Sequence, residues 1–450
     1  MELAASPHHH PDLLLALLTI PLALATGIWM LSGRFHIGSM RNVFLAIAAY
    51  FALCVPIDLL LELELRGGRE YLADLNDDLF RPHVVRGLIL YIECMVGFLA
   101  AYSLMPQREP TLYKSYRLSL PPLWVALAVN FACLASYMLA FGSVSRIDRF
   151  FLARHSVFFK LFSLVVPATY AFNFLYLLRC SDRLKARWLV AWSILFSFVS
   201  GGRMWGAATL LFYLVRYRIT LRRWQVVTLG TVFVAASLVW KEVTGYFWET
   251  GTLPALWNPE MQVGLSRFEG IQSWVMTVEI LSDGPSPLWW GWSYTVLPMQ
   301  LLWPRFLLEF PPQTLSEQYA EFLRPHLFDA GGGIGFSAIG EAWLNFGFVG
   351  PALLGAAWGL AAKWVDRHPR GIAMIVFVIM TLRLFRSDFG SLFKSWTFMF
   401  TATLVLVLLA WKFADGLIRS LRPGVDVNSH NGLAASRPQP LAAPRTSTGG

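Results

Sequence analysis

Residues 331–350 read GGGIGFSAIGEAWLNFGFVG, so a run of glycines passes directly into an apolar segment. Glycine at this density lets the backbone adopt positive φ values and approach a ligand closely. From Phe336 onward the apolar residues return to helical spacing, which predicts that a long loop ends here by entering a membrane. Glu341 lies about one to two turns beyond that point, where an ionisable side chain is costly and therefore a candidate for function. A glutamate capped by water at the membrane interface is the alternative.

The composition excludes an ordinary soluble globular protein. Of the 450 residues, 56% are hydrophobic and 15% aromatic, whereas only 14% are charged. These proportions predict an all-α, polytopic integral membrane protein. The formal net charge of +9 then indicates cytoplasmic loops facing anionic lipid or phosphate groups, and nucleic acid is not expected as a partner. The first ten residues lack a basic region, so the first apolar segment is expected to stay as a helix.

Neither the cysteines nor the histidines predict a metal site. The four cysteines, Cys54, Cys94, Cys133 and Cys180, lie in or beside separate predicted helices without the spacing of metal ligands or of a disulfide framework. The triplet from His8 to His10 is more typical of a mobile terminus than of a metal site. We therefore expect no metal and no cofactor.

Eleven apolar segments are long enough to span a membrane. They cover approximately residues 13–32, 42–62, 84–105, 121–142, 160–179, 187–201, 203–217, 223–243, 338–362, 371–386 and 395–412. The stretch 187–217 can be interpreted as one long helix. The sequence Gly201-Gly202-Arg203 in its middle and the basic residues at both ends favour a tight helical hairpin.

The distribution of basic residues predicts the orientation of the chain. Six clusters occupy short connections: Arg34 and Arg41; Arg108, Lys114 and Arg117; Arg183, Lys185 and Arg187; Arg216, Arg218, Arg222 and Arg223; Lys363, Arg367 and Arg370; and Lys412, Arg419 and Arg422. With a hairpin at 187–217 all six lie on one side, whereas a single helix would move three of them outside. By the positive-inside rule that side is cytoplasmic, so the N-terminus is outside and the C-terminus inside.

We expect one membrane domain, residues 1–422, followed by a disordered cytoplasmic tail, residues 423–450. The tail is rich in Pro, Ala, Ser, Arg and Gly and has no periodicity. The domain includes a long outer loop, about residues 244–335, which is too large for a simple connection. Its many tryptophans predict interfacial helices that flank a cavity. Most of these tryptophans are expected to be anchors, and Trp289, Trp290 and Trp292 are candidates for stacking on sugar rings.

Basic residues on the outer face oppose the topological bias and so call for an explanation. They are Arg203 in the hairpin turn, Arg267 and Arg305 in the long loop, and Arg383, Arg386 and Lys394 between the last two helices. The planar arginine side chain suits bidentate binding of phosphate oxygens. Several arginines that converge on one outer cavity would hold a pyrophosphate. Alternatively, each pairs with a nearby carboxylate, as Arg386 with Asp388, or touches lipid headgroups.

Several short motifs, taken in order, resemble those of the bacterial oligosaccharide repeat-unit polymerases of O-antigen and related surface polysaccharides. They are Ser200-Gly201-Gly202-Arg203, Arg267, Leu297-Pro298 followed by Leu302-Trp303-Pro304-Arg305, the segment 331–350, and Arg386 with Asp388. The similarity spans roughly residues 190–400. The N-terminal third matches only in hydropathy.

The resemblance implies a glycosyltransferase with the membrane-embedded GT-C type of architecture, acting at the periplasmic face of the bacterial inner membrane. Such enzymes move a growing glycan from undecaprenyl pyrophosphate onto an incoming undecaprenyl-pyrophosphate-linked repeat unit. The implied partners are this lipid-linked oligosaccharide, the lipid bilayer, a chain-length regulator and a flippase.

The transfer requires a way to stabilise the departing pyrophosphate, a way to orient the acceptor hydroxyl, and a base. We assign Arg203, Arg267 and Arg386 to the pyrophosphate, with Arg305 as a secondary contact. Glu341 is assigned as the base or the acceptor-orienting group, from its position and chemistry. The remaining candidates for substrate binding are Trp303, Ser337 and Asp388. Because arginines neutralise the leaving group and no Asp-x-Asp pair occurs in the outer loop, the reaction is predicted to be metal-independent.

Three other functions compete with polymerisation. O-antigen ligases carry a histidine near the start of the corresponding helix, but Phe336-Ser337 stands there in this chain, which disfavours a ligase. In a transporter or flippase of lipid-linked sugars, ionisable residues would lie at mid-bilayer between symmetric halves. Here they cluster on one face. A scaffold protein would not need the outer arginines.

Overall fold

The computed structural model describes residues 39–48, 81–105, 120–141, 157–199, 203–219, 277, 280–281, 288–302, 312–323, 336–368, 372–385 and 387–420. All regular structure in these residues is helical, as predicted. The helices are α1 (Arg81–Leu104), α2 (Leu123–Phe141), α3 (Val157–Arg179), α4 (Arg183–Val199), α5 (Arg203–Arg216), α6 (Trp292–Leu302), α7 (Leu315–Leu323), α8 (Ala338–Phe346), α9 (Val349–Arg367), α10 (Ile372–Leu384), the short turn α11 (Phe389–Ser391) and α12 (Phe400–Ser420), with a π-helical segment over Leu392–Met399. Residues 40–48 are also helical.

Helices α1 and α9 pack so closely that their backbones touch. A Cβ atom added to Gly355 would lie 1.9 Å from the carbonyl oxygen of Cys94, and one added to Gly359 would lie 2.4 Å from that of Phe98. Gly97 on the opposite helix is equally confined, with the carbonyl oxygen of Ala352 at 2.2 Å from its would-be Cβ. Small residues that allow close backbone approach are typical of helix pairs in membranes.

Helices α1 and α9 run parallel. The contacting pairs are Cys94 with Gly355, Phe98 with Gly359, and Tyr102 with Lys363, so both chains advance in the same direction. The distribution of basic residues predicts this relation, since both helices are expected to begin outside and end in the cytoplasm. The absolute orientation stays a prediction.

The helical hairpin predicted at 187–217 is confirmed. Near the turn, the backbone N–H of Gly206 donates a hydrogen bond to the Ser197 hydroxyl at 3.0 Å. Toward the open end, Arg187 Nε donates to the Tyr213 hydroxyl at 3.2 Å. Contacts between earlier residues of α4 and later residues of α5 show that the two helices are antiparallel.

The predicted span over 338–362 is not one continuous helix. The chain bends by 119° between α8 and α9. Gly347 adopts a positive φ of 62° and its N–H closes α8 on Trp343 O, while Gly350 lies against the backbone of Ala342, where a Cβ atom would be 1.9 Å from the carbonyl oxygen. These glycines allow the turn although the sequence remains apolar throughout.

In the described part of the chain, one helix, Phe400–Leu417, is long and apolar enough to cross a membrane, and the bent pair α8 and α9 counts as a second if it forms one broken span. Four shorter apolar helices overlap predicted spans: Ile89–Leu104, Leu123–Tyr137, Met204–Arg216 and Ile372–Leu384. The predicted spans 13–32 and 223–243 and most of 42–62 lie outside the described residues. The total of eleven therefore stays a prediction.

A buried polar pair joins the helices that surround the aromatic core. Asn130 on α2 and Asn173 on α3 exchange two hydrogen bonds of 2.8 Å, and Asn173 also donates to the Ser193 hydroxyl on α4 at 2.9 Å. Nearby, the Tyr170 and Trp205 rings stack with centroids 5.1 Å apart. Satisfied polar groups in an apolar interior fix the register of neighbouring helices.

The contact between α1 and α9 predicts that Gly355→Ala destabilises the protein. Its methyl group would overlap the backbone of Cys94, and relieving such an overlap typically costs about 1–3 kcal/mol. Thermal unfolding of the purified protein in detergent measures the effect. Gly416→Ala is the matched control, because nothing lies within 4 Å of its would-be Cβ, and we expect it to leave the Tm unchanged or raise it slightly. Equal Tm values for the two variants would contradict the close packing.

Candidate active site

The local structure of α8 places Glu341 in its first turn. Ser337 precedes the helix in an extended conformation, and its hydroxyl accepts a hydrogen bond from the N–H of Gly340 at 3.2 Å. The Thr277 hydroxyl donates to the same Ser337 oxygen. A serine cap defines where the helix begins, and a carboxylate in the first turn interacts favourably with the helix dipole. The predicted substrate contact Ser337 is therefore buried and serves as the cap of the helix that carries Glu341.

Three separate segments meet at the buried carboxylate of Glu341. Its Oε1 accepts a hydrogen bond from the Ser293 hydroxyl on α6 at 2.5 Å, and its Oε2 accepts one from the backbone N–H of Phe389 at 2.6 Å. The side chain is completely buried. The structure thus excludes the alternative of a glutamate exposed to water at the interface, and each carboxylate oxygen has a protein donor.

Asn345 determines which partner is the donor in the hydrogen bond between Ser293 and Glu341. Its Nδ2 donates to the Ser293 hydroxyl oxygen at 2.7 Å and to the backbone oxygen of Glu341 at 2.8 Å. Because the Ser293 oxygen accepts from Asn345, its own hydrogen is directed to Glu341. Asn345 Oδ1 is buried and has no hydrogen-bond partner among the described residues. It is a buried hydrogen-bond acceptor on the same face of α8 as Glu341.

Asp388 is a second buried carboxylate in this region. Its Oδ2 accepts from the N–H of Ser391 at 2.9 Å, which caps α11, and its Oδ1 accepts a longer bond of 3.4 Å from the N–H of Ser316. Burial raises the pKa of Asp388 above its usual range. Phe389, whose N–H binds Glu341, follows Asp388 directly, and the two carboxylates interact electrostatically.

The structure brings the backbone at Arg203 close to the segment that leads to Asp388. Arg383, near the end of α10, donates from Nε to the sulfur of Met204, which is the residue after Arg203. The side chain of Arg203 lies outside the described residues, as do Arg267, Arg305, Arg386 and Trp303 in full. The predicted convergence of arginines on a pyrophosphate therefore stays a prediction.

The tryptophans before α6 form one edge of the site. The backbone N–H groups of Trp289 and Trp290 donate to the carbonyl oxygens of Leu344 and Asn345 at 3.1 and 3.0 Å, which ties this segment to the end of α8. The Trp290 indole is 78% exposed, and a ring in that position can stack on a sugar.

Sequence reasoning missed Ser293 and Asn345. Asn345 follows Glu341 by four residues, so helical spacing alone would have placed both on one face. No spacing pattern in the sequence indicated Ser293, because it lies 48 residues from the glutamate whose carboxylate it contacts.

The raised pKa of Asp388 predicts a pH dependence of stability. Between its unfolded pKa, about 3.9, and its higher folded pKa, this carboxyl binds more protons in the folded than in the unfolded protein. Its contribution to the free energy of unfolding therefore falls as pH rises through this window. We expect the Tm of the wild type in detergent to fall more steeply than that of Asp388→Asn as pH rises from about 4 to about 7. Parallel Tm curves would show that Asp388 does not titrate in this way.

The C-terminal part of the chain matches a known family. The family model described as O-antigen polysaccharide polymerase Wzy matches residues 308–414, a range that contains Ser337, Glu341 and Asp388. No curated protein and no solved structure matches the chain. Over residues 308–414 the resemblance to the O-antigen polymerases is therefore confirmed, and it takes in the helix that carries the buried Glu341.

Proposed function

We propose that the protein polymerises undecaprenyl-pyrophosphate-linked oligosaccharide repeat units into a surface polysaccharide. The observation that carries this proposal is the buried Glu341 carboxylate, which lies inside the matched region and is held by Ser293 and Phe389. Burying a carboxylate completely costs free energy unless hydrogen bonds compensate for the lost water. Such a group is therefore a candidate for function. A base or orienting group for an acceptor hydroxyl is the chemistry that a polymerase needs.

The proposed reaction is a displacement at the anomeric carbon of the donor glycan. The oxygen of an acceptor hydroxyl, at the non-reducing end of the incoming repeat unit, forms the new bond to this carbon. The bond from the carbon to the pyrophosphate oxygen breaks, and undecaprenyl pyrophosphate leaves with the electron pair. The hydroxyl proton passes to Glu341.

Ser293 gives the proton a path to the buried carboxylate. The acceptor hydroxyl donates to the Ser293 oxygen, which already donates its own hydrogen to Glu341 at 2.5 Å. The oxygen of Asn345 that has no partner among the described residues can accept a hydrogen bond from a second hydroxyl of the same sugar. Orientation by such fixed groups reduces the entropy cost of bringing acceptor and donor together.

The arginines act on the leaving group in this proposal. Arg203, Arg267 and Arg386 bind the pyrophosphate and stabilise the negative charge that develops on it, with Arg305 as a further contact. Trp303 contacts the glycan, and Ser337 and Asp388 contribute to the binding site by capping α8 and α11. No step requires a metal ion.

We further propose that the chain is a multi-pass protein of the bacterial inner membrane. It has about eleven spans in a GT-C type of architecture, with the N-terminus in the periplasm and the C-terminus in the cytoplasm. Residues 1–422 form the polymerase domain, the periplasmic loop of about 244–335 covers the site, and residues 423–450 are a cytoplasmic tail. A flippase supplies the lipid-linked repeat unit, and a chain-length regulator acts on the product.

Replacing the carboxylate tests the role of Glu341. In proteoliposomes supplied with the cell's own lipid-linked repeat unit, we expect Glu341→Gln to lower the single-turnover rate of polymerisation by about 10²–10⁴-fold, the usual contribution of general base catalysis. Ser293→Ala should lower it as well, because the proton path is lost. The ladder of glycan lengths on a gel gives the rate.

Glu321→Gln is the matched control, since Glu321 accepts a hydrogen bond from Gln313 on the exposed side of α7, outside the buried cluster. It should extend the glycan at the wild-type rate. If Glu341→Gln did so too, Glu341 would have no part in the reaction.

The proposed binding of the pyrophosphate by arginines makes its own prediction for the extension activity of variants. Arg203→Ala and Arg386→Ala should each abolish extension, whereas Arg183→Ala, an exposed arginine at the opposite end of the helical hairpin, should not. EDTA should leave wild-type extension unchanged, because the arginines supply the positive charge. Loss of activity in EDTA, or normal extension by both site variants, would overturn the model. Appearance of unextended glycan on the far side of the membrane would favour a flippase.

A further inference from the structure

A second charged cluster lies at the other end of the parallel helices α1 and α9, away from Glu341. It consists of Arg41, Tyr102, Lys363 and Asp366, and we call it the basic cluster. Asp366 joins three helical segments there: its Oδ1 accepts from the N–H of Met40 at 2.8 Å, and its Oδ2 accepts from the Tyr102 hydroxyl at 2.8 Å. Both carboxylate oxygens thus have donors other than the two cations.

The two cations share the ring of Tyr102. Lys363 Nζ lies 4.5 Å from the ring centroid, and Arg41 Cζ lies 5.7 Å from it. Such contacts stabilise a cation only modestly. The Lys363 side chain is only 7% exposed, yet in the described part of the chain its ammonium group forms no ion pair within 4.0 Å. Two positive charges against the single negative charge of Asp366 leave an excess of one positive charge.

The sequence adds further positive charge next to the basic cluster. The chain enters residue 39 from a segment with Arg34, leaves α1 toward a segment with Arg108, Lys114 and Arg117, and leaves α9 toward Arg370. Glu109 is the single acidic residue in these connecting segments, 31–38, 106–119 and 369–371. The segments that adjoin the basic cluster in sequence are therefore basic overall, which favours an anionic ligand at these helix ends.

Exposed apolar side chains lie near the same ends of α1 and α9. Leu104 at the end of α1 is 83% exposed, and Leu360 and Trp364, which flank Lys363 on α9, are 42% and 51% exposed. This apolar surface would contribute nothing to binding a soluble anion, whereas an acyl chain would pack against it. Tryptophan next to lysine is also a typical pair at the headgroup level of a bilayer.

We propose that the basic cluster binds an anionic phospholipid. Its headgroup phosphate contacts the Lys363 ammonium and the Arg41 guanidinium, and an acyl chain lies along Leu360, Trp364 and Leu104. The lipid neutralises the excess charge at the point where residues 40–48, α1 and α9 are joined by Asp366. The site is separate from the glycan site and does not depend on the proposed polymerase activity.

Native mass spectrometry of the full-length, delipidated protein tests the site, with phosphatidylglycerol and phosphatidylcholine as probes. We expect the wild type to bind the first phosphatidylglycerol molecule more tightly than phosphatidylcholine. Lys363→Met and Arg41→Gln should each reduce this preference about fivefold, the contribution of one basic residue near a membrane surface. Arg41 is exposed, so its substitution preserves the packing even if Lys363→Met disturbs it.

Lys185→Met is the matched control, because Lys185 is exposed and lies 3.6 Å from Asp182 at the start of α4, which contributes no residue to the basic cluster. It should retain the wild-type preference for phosphatidylglycerol. An unchanged preference in Arg41→Gln and Lys363→Met would overturn the proposal. Displacement of phosphatidylglycerol by an excess of inorganic phosphate would also overturn it, since it would identify a site for soluble anions.

Discussion

The burial of one carboxylate governs the arrangement of the site. Glu341 is completely buried, and its two oxygens are satisfied by a side chain from α6 and by the backbone N–H of the first residue of α11. Removing either donor would leave a buried acceptor unpaired, which costs more than the hydrogen bond itself contributes. Three segments that are distant in sequence are therefore held in one arrangement by a polar group whose burial would be costly without these donors. That arrangement also places Asp388 beside it.

The sharp bend after α8 explains why Glu341 can lie where it does. Helix α9 is anchored to α1 by backbone contacts at Gly355 and Gly359, so its position is fixed by packing. Gly347 and Gly350 then turn α8 away by 119° instead of letting it continue along the same axis. The result is a short helix at one end of a long one, capped by Ser337, with its first turn directed into the protein. Gly355 and Gly359 allow close packing against α1, whereas Gly347 and Gly350 allow the change of direction.

Much of the helical framework could be predicted from the sequence. Long apolar segments indicate helices, and the basic clusters indicate in which direction neighbouring helices run relative to each other. The hairpin of α4 and α5 and the parallel run of α1 and α9 follow from those signals. The bend at Gly347 could not be predicted in this way, since the segment 338–362 stays apolar and glycine interrupts no periodicity. Glu341 was identified by its unusual surroundings, whereas Ser293 was missed because a hydrogen bond across 48 residues leaves no local pattern. The arginine side chains at 267, 305 and 386 lie outside the described residues, so their part in the site rests on sequence.

In the proposed mechanism, Glu341 acts on the acceptor during transfer and does not hold the donor. Measuring donor affinity and the rate of transfer separately in the same Glu341→Gln protein tests this most directly. A fluorescent lipid-linked glycan whose own acceptor hydroxyl is blocked gives the Kd of the donor in nanodiscs, and a single-turnover experiment with added acceptor repeat unit gives the rate. We expect a Kd close to that of the wild type and a transfer rate lower by about 10²-fold or more. A Kd that weakens in proportion to the rate would contradict it, because Glu341 would then contribute to binding or folding instead of to the chemical step.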